Sequence, residues 1–129
     1  MNLPTTEAPV LAACLGLLAL RGIPHWRQNT GATTVGRRFI RFGVKGASDI
    51  LAVLPPNGRM LAVECKRPKG GRLSEDQAAF LANVRDAGGI ALVVNNVSVL
   101  IRALDEQAAD PGIVLGMDGM PTGSPEGVL

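Results

Sequence analysis

The chain has no tyrosine, a single histidine (His25) and two cysteines, Cys14 and Cys65. Two cysteines are too few for a disulfide framework, and with one histidine they make no zinc-like ligand spacing. His25 is expected to be structural, with a phosphate contact as the alternative. Aromatic residues make up 3% of the chain against 47% hydrophobic. That ratio excludes a disordered chain and predicts a core packed from Ala, Val, Leu and Ile. With aromatics so scarce, Trp26 is expected in the core or at an interface, base stacking being the less favoured alternative. The apolar run at residues 10–20 is well short of the roughly 20 residues a membrane span needs, so it reads as a buried helix and no membrane partner is expected. Glu7 is the only charge before Arg21, which does not match the basic leader of a secretory signal, and no export is expected. Free cysteines then fit a reducing, intracellular setting, the cytoplasm of a bacterial cell or of an infected host.

Negative charge is also scarce where it matters. Residues 21–72 hold eleven Lys or Arg against two acids, a net +9, while the remaining residues hold two basic side chains against nine acids, a net −7. A segregated basic surface suits a polyanion, because Lys and Arg neutralise phosphates and release condensed counterions. The bland alternative is a solvated basic face. A purely structural α/β domain is a further alternative, and it predicts negligible DNA affinity at low salt.

The two acids inside the basic zone, Asp49 and Glu64, sit on one predicted hairpin. Pro55-Pro56-Asn57-Gly58 is turn chemistry between two apolar runs of strand formers. Pairing centred between Pro56 and Asn57 sets Leu54 opposite Arg59, Val53 opposite Met60, Leu51 opposite Ala62 and Asp49 opposite Glu64. Opposed strand residues have Cβ atoms about 4.5–5.5 Å apart, where like charges repel. A cation between the carboxylates removes the objection. Strand alternation returns Lys66 to the face of Glu64. The strands are apolar on both faces, so the sheet is expected to be covered on both sides. An ordinary ion pair of Lys66 with Glu64 or Asp49 is the competing account of the three charges.

Around the hairpin, the first helix is expected to be capped by Thr5 or Thr6, with Glu7 in its first turn, Pro9 tolerated early and Gly22 as its stop. Glu7, Leu11, Cys14, Leu15 and Leu18 share one helical face, so Glu7 is expected on the core-facing stripe, as a dipole partner or as a contributor beneath a catalytic sheet. A short strand follows at residues 23–29, then a polar loop at 30–36. Arg37-Arg38-Phe39-Ile40-Arg41-Phe42 alternates as a strand with a basic face. The glycine-bracketed connection at residues 43–48 lets Lys45 approach a phosphate at the open end of the hairpin. After the basic turn at residues 67–72, Ser74 and Gln77 open a helix as a capping box, closed by Gly88-Gly89. Gln77 shares a face with Leu81 and Val84, so it is expected either to point at the sheet or to fold back on the cap. A buried strand at residues 90–95, parallel by its crossover, and a helix at 97–107 follow. One domain over residues 1–104 and a loosely ordered tail over 105–129 are expected.

Two carboxylates with a strand carbonyl form a hard oxygen site suited to magnesium or manganese, and a nearby ammonium group suits a developing phosphate charge. In sequence order, Gly46-Ala47-Ser48-Asp49-Ile50, Ala62-Val63-Glu64-Cys65-Lys66, Arg72-Leu73-Ser74-Glu75-Asp76-Gln77 and Gly88-Gly89-Ile90 resemble the VRR-Nuc domain of the PD-(D/E)xK nucleases, from the first helix through about Leu100. The resemblance implies an α/β fold with a restriction-endonuclease-like αβββαβ core, a mixed central sheet flanked by helices. It implies metal ligation by Asp49, Glu64 and the Cys65 carbonyl, with Glu7 as a possible indirect contributor, catalysis by Lys66 and support from Gln77. Ser48 departs from the proline of the superfamily name, and Cys65 fills its variable position. The implied activity is magnesium- or manganese-dependent DNA endonuclease cleavage, structure-directed on branched or Holliday-junction DNA. Small stand-alone phage-type members act as homodimers or higher homo-oligomers. The basic side chains Arg37, Arg38, Arg41, Lys45, Arg67, Lys69 and Arg72 are expected to grip the backbone. The alternative is a non-catalytic DNA-binding or assembly module on the same fold.

Overall fold

A computed structural model describes residues 6–28 and 31–107. The first helix, α1 (Ala8–Leu20), is rich in Ala and Leu, the strongest helix formers, with Pro9 in the first turn. It stops in a Schellman arrangement, with Gly22 N–H donating to Ala19 O and Ile23 N–H to Leu18 O, both at 3.0 Å. Glu7, not Thr6, is the N-cap and makes no side-chain cap bond; Thr5 lies outside the described residues. Glu7 is exposed, so the expected core-facing stripe begins instead at Val10 and continues through Cys14 and Leu18.

The main sheet has four strands in the order β1 (His25–Arg27), β4 (Ile50–Leu54), β5 (Arg59–Cys65) and β6 (Ile90–Val94). A separate hairpin joins β2 (Gly31–Val35) to β3 (Arg38–Phe42). Within the loop expected at 30–36, Gly31–Val35 is thus corrected to a strand. Its small and β-branched residues pair with β3 across a two-residue turn at Gly36 and Arg37, a stabilisation local polarity does not reveal. Setting this hairpin aside, the order is α1, three strands, α2 (Glu75–Asp86), β6, the expected αβββαβ core, with α3 (Val97–Glu106) added. β1 and β4 run antiparallel, as do β4 and β5, while β5 and β6 run parallel across the α2 crossover. The predicted register holds: Leu54 opposes Arg59, Val53 opposes Met60 and Leu51 opposes Ala62.

Alternation divides the strands between two apolar layers, as an almost uniformly apolar sheet requires. Ile50, Ala52, Leu54, Leu61, Val63 and Leu92 pack with α1 and α3. Leu51, Ala62, Ala91 and Val93 pack against Leu81 of α2. Arg59, at the turn end of the hairpin, is used structurally: its Nε donates to Gly88 O at 2.7 Å. Arg21 likewise pairs with Asp105 at 3.0 Å. Helix α3 runs through Glu106, in keeping with the helix expected at 97–107. Residues 108–129, which hold the rest of the expected tail, lie outside the described residues. No described helix is long and apolar enough to cross a membrane.

Candidate active site

The site forms where β4 and β5 run out of ladder. Ile50 opposite Val63 is the last paired position of β4, and one step further Asp49 turns its carboxylate to the strand: Oδ2 accepts the Cys65 N–H at 2.7 Å. A strand residue presents its N–H and C=O to the same neighbour, so the Cys65 carbonyl faces the Asp49 side beyond the end of β4. Glu64 and Lys66 alternate onto the opposite, α2-covered face, the layer of Leu51 and Ala62. Both are buried, at 2% and 6% exposure.

Gln77, from the first turn of α2, ties these groups together. Its Nε2 donates to Glu64 Oε2 at 3.0 Å, and its Oε1 accepts Lys66 Nζ at 2.9 Å. The same Oε1 accepts the Ser74 N–H at 2.9 Å, while Ser74 Oγ accepts the Gln77 N–H at 3.1 Å. The two roles expected to exclude one another are both filled, because an amide oxygen has two lone pairs and the amide nitrogen has separate protons. Lys66 Nζ lies 3.6 Å from Glu64 Oε2. Gly71 packs over the lysine stem so closely that a Cβ there would stand 2.8 Å from Lys66 Cβ.

Burial, and after it the neighbouring Asp49 charge, push the Glu64 carboxyl up from 4.5 to about 8, against the pull of Lys66. The ion pair is the weaker influence, because a carboxylate removed from water loses more than a single cation at 3.6 Å restores. Glu64 Oε1 is buried with no hydrogen-bond partner among the described residues. An unpartnered acid oxygen, a second carboxylate and a strand carbonyl suit a hard divalent cation, which favours the ionised carboxylate. Among the described residues no three or more His, Cys, Asp and Glu side chains converge. Glu7 stands exposed at the start of α1, the helix packed on the other face of the sheet. Cys65 points its thiol into that other layer beside Cys14, and contact with Cys14 together with burial pushes the Cys65 thiol up. Ser48 is fully buried, its Oγ also without a partner among the described residues.

A polar cleft of about 360 Å³ opens beside Asp49 and Gln77, lined also by Arg27, Gln28, Lys45 and Ser74. Lys45, among the basic side chains expected to grip DNA, lines this cleft, and it also pairs with Asp76 at 3.3 Å. Gly46 seats its loop against α2: its φ is +80°, and a Cβ would stand 2.2 Å from Asp76 O. Arg37 and Arg38 are exposed at the tip of the β2–β3 hairpin, and Arg41 lies within β3. Arg67, Lys69 and Arg72 are exposed on the loop leaving β5, where Arg67 donates to Gly70 O at 3.0 Å. His25 Nδ1–H donates to Ile23 O at 2.8 Å. Trp26 does not enter the core: it is 45% exposed, because its short strand is the sheet edge. Arg27 and Gln28 escaped sequence reasoning. Their position follows from β1 pairing with β4, where Gln28 N–H donates to Asp49 O at 2.8 Å, and a three-residue strand has too little alternation to announce its register.

A mixed sheet between helices, with two carboxylates and a lysine at the ends of adjacent strands beside a polar cleft, defines a nuclease-type domain of the restriction-endonuclease-like class. Residues 15–98 match the VRR-NUC domain, and the chain belongs to that family of DNA-processing nuclease domains. Asp49, Glu64, Lys66 and Gln77 all lie within the matched span, and Glu7 lies outside it. No curated protein and no solved structure matches the chain.

Proposed function

We propose that this protein is a divalent-metal-dependent DNA endonuclease selective for branched or junction DNA. The observation that carries the reading is the buried, unpartnered Glu64 oxygen beside Asp49 and a lysine held by Gln77. Asp49, Glu64 and the Cys65 carbonyl would hold magnesium or manganese, with Glu7 at most an indirect contributor. When bound, the cation polarises the phosphodiester and lowers the pKa of a coordinated water. Glu64 would serve the cation in its ionised form. Lys66, aimed by Gln77, meets the negative charge that grows on the phosphate oxygens. Gln77 fixes the lysine and Glu64 in one geometry, so neither reorganises as the reaction proceeds. Arg37, Arg38, Arg41, Lys45, Arg67, Lys69 and Arg72 hold the strands through their phosphates, and a homodimer or higher homo-oligomer aligns two such sites on a junction.

Cleavage of junction, flap and linear duplex DNA with and without magnesium tests the reading. Wild type is expected to cut the branched substrates only with the metal, and Asp49→Ala and Lys66→Ala are each expected to lose roughly 10²-fold or more. Absence of metal-dependent cutting, or cutting unchanged in both variants, overturns it. DNA binding without cleavage favours a non-catalytic binding module on the same fold.

A further inference from the structure

Trp26 is the only tryptophan in the chain. It sits on β1, the edge of the main sheet, opposite Leu51, which places it on the α2-covered face with Glu64 and Lys66. Its Nε1–H donates to Gln28 Oε1 at 3.0 Å, and Gln28 N–H in turn donates to Asp49 O at 2.8 Å. Gln28 and Asp49 border the polar cleft together with Arg27 and Lys45. The ring is therefore held in place relative to Asp49 through two hydrogen bonds, and its one polar atom is already engaged. What remains to offer a ligand are the ring faces, which bind by stacking and dispersion. An apolar peptide is poorly matched to a rim that carries Arg27 and Lys45, whereas a nucleotide supplies a flat base for the ring and a phosphate for the cations.

We infer that Trp26 is a stacking platform for a nucleobase adjacent to the scissile phosphate, a proposal that rests on the nuclease reading of the neighbouring site. A base inside a duplex has both faces covered by its neighbours, so the platform accepts only an unpaired or splayed base. Preference for branched DNA then arises at the sheet edge, beside the chemistry, rather than from a separate recognition element.

Because Trp26 is the sole tryptophan, its emission reports on the contact directly. The full chain is titrated in EDTA with a flap duplex carrying an unpaired nucleotide at the branch, with the same DNA abasic at that nucleotide, and with a fully paired duplex. The expected result is quenching by the first DNA that is largely lost with the other two. Trp26→Ala is expected to weaken binding of the flap about 10-fold, the scale of one base–aromatic stack, with Trp26→Phe retaining most of the affinity and the paired duplex little affected. Equal quenching by all three DNAs, or an equal loss of affinity for all three on Trp26→Ala, overturns the proposal. So does an emission change that follows protein concentration without DNA, which would mean that a second copy covers the ring. No cleavage enters these measurements. Base-dependent quenching without magnesium-dependent cutting supports the platform and defeats the nuclease reading, while cutting without base-dependent quenching defeats the platform alone.

Discussion

Replacing Glu64 by glutamine keeps the shape of the side chain and removes its proton equilibrium, so the variant isolates what burying this acid does to the fold. With the carboxyl raised from 4.5 to about 8, the native state holds one more proton than the unfolded chain between those two pH values. Stability therefore falls as pH rises through that window, being fully present below the lower value and lost above the upper one. At about 1.4 kcal/mol per pH unit the effect has a ceiling of about 5 kcal/mol. The assay is denaturant unfolding in EDTA from pH 5 to 9 for wild type and Glu64→Gln. The difference between the two curves is expected to grow with pH in favour of the variant and to level off above pH ~8. Magnesium should narrow the gap at the alkaline end, because a cation that binds only the native carboxylates stabilises wild type by about 2.7 kcal/mol at one hundred times its dissociation constant, about half of that ceiling. Parallel pH profiles in EDTA would refute the account of Glu64 as a desolvated acid crowded by Asp49. Equal magnesium stabilisation of both proteins would refute its part in metal binding.

Three further outcomes follow from the contacts around it. Gln77→Ala removes a cap acceptor and both side-chain ties to the site, and is expected to lower stability by about 1–2 kcal/mol by denaturant unfolding and to impair cleavage; Gln77→Glu can keep the capping box and should recover stability but not activity, since it sets a third carboxyl beside Glu64. Gly46→Ala forces a Cβ against the Asp76 carbonyl from a left-handed backbone, so thermal unfolding should show a loss of roughly 1–3 kcal/mol together with weakened DNA binding through the displaced Lys45 loop. Asp76→Asn releases the exposed Lys45 ion pair at little cost in stability and removes a negative charge from the cleft rim, so DNA affinity is expected to rise a few-fold at low salt, with the gain shrinking as salt is added.

Much of this is legible in the sequence, for reasons specific to the residues. Pro56, Asn57 and Gly58 mark a turn whose position, with apolar runs on either side, leaves one register that keeps both faces buried. Asp49 and Glu64 follow at its open end, and Lys66 by alternation. Ser74 and Gln77 at capping-box spacing locate the start of α2, and Gly22 and Gly88 its predecessor's end and its own. The β2 strand was hidden because threonine, alanine and glycine read alike in loops and in hairpins, and its pairing with β3 is what makes it a strand. Glu7 was misplaced because a helical period assigns it to a face but does not say that the apolar layer starts one turn later, at Val10.

By itself the sequence determined the two apolar layers, the hairpin register, the α2 capping box, the glycine helix stops and the identity of the charged groups, because each of these depends on neighbours within a few residues or on strict alternation. Tertiary structure alone decided that Gln77 serves the cap, Lys66 and Glu64 at once, that burial pushes the Glu64 carboxyl up, and that Arg27 and Gln28 come to the mouth of the site, with Trp26 bonded to Gln28. Those features depend on how α2 and β1 dock on β4 and β5. Desolvation and through-space contact are properties of the packed arrangement, and no local pattern in the chain encodes them.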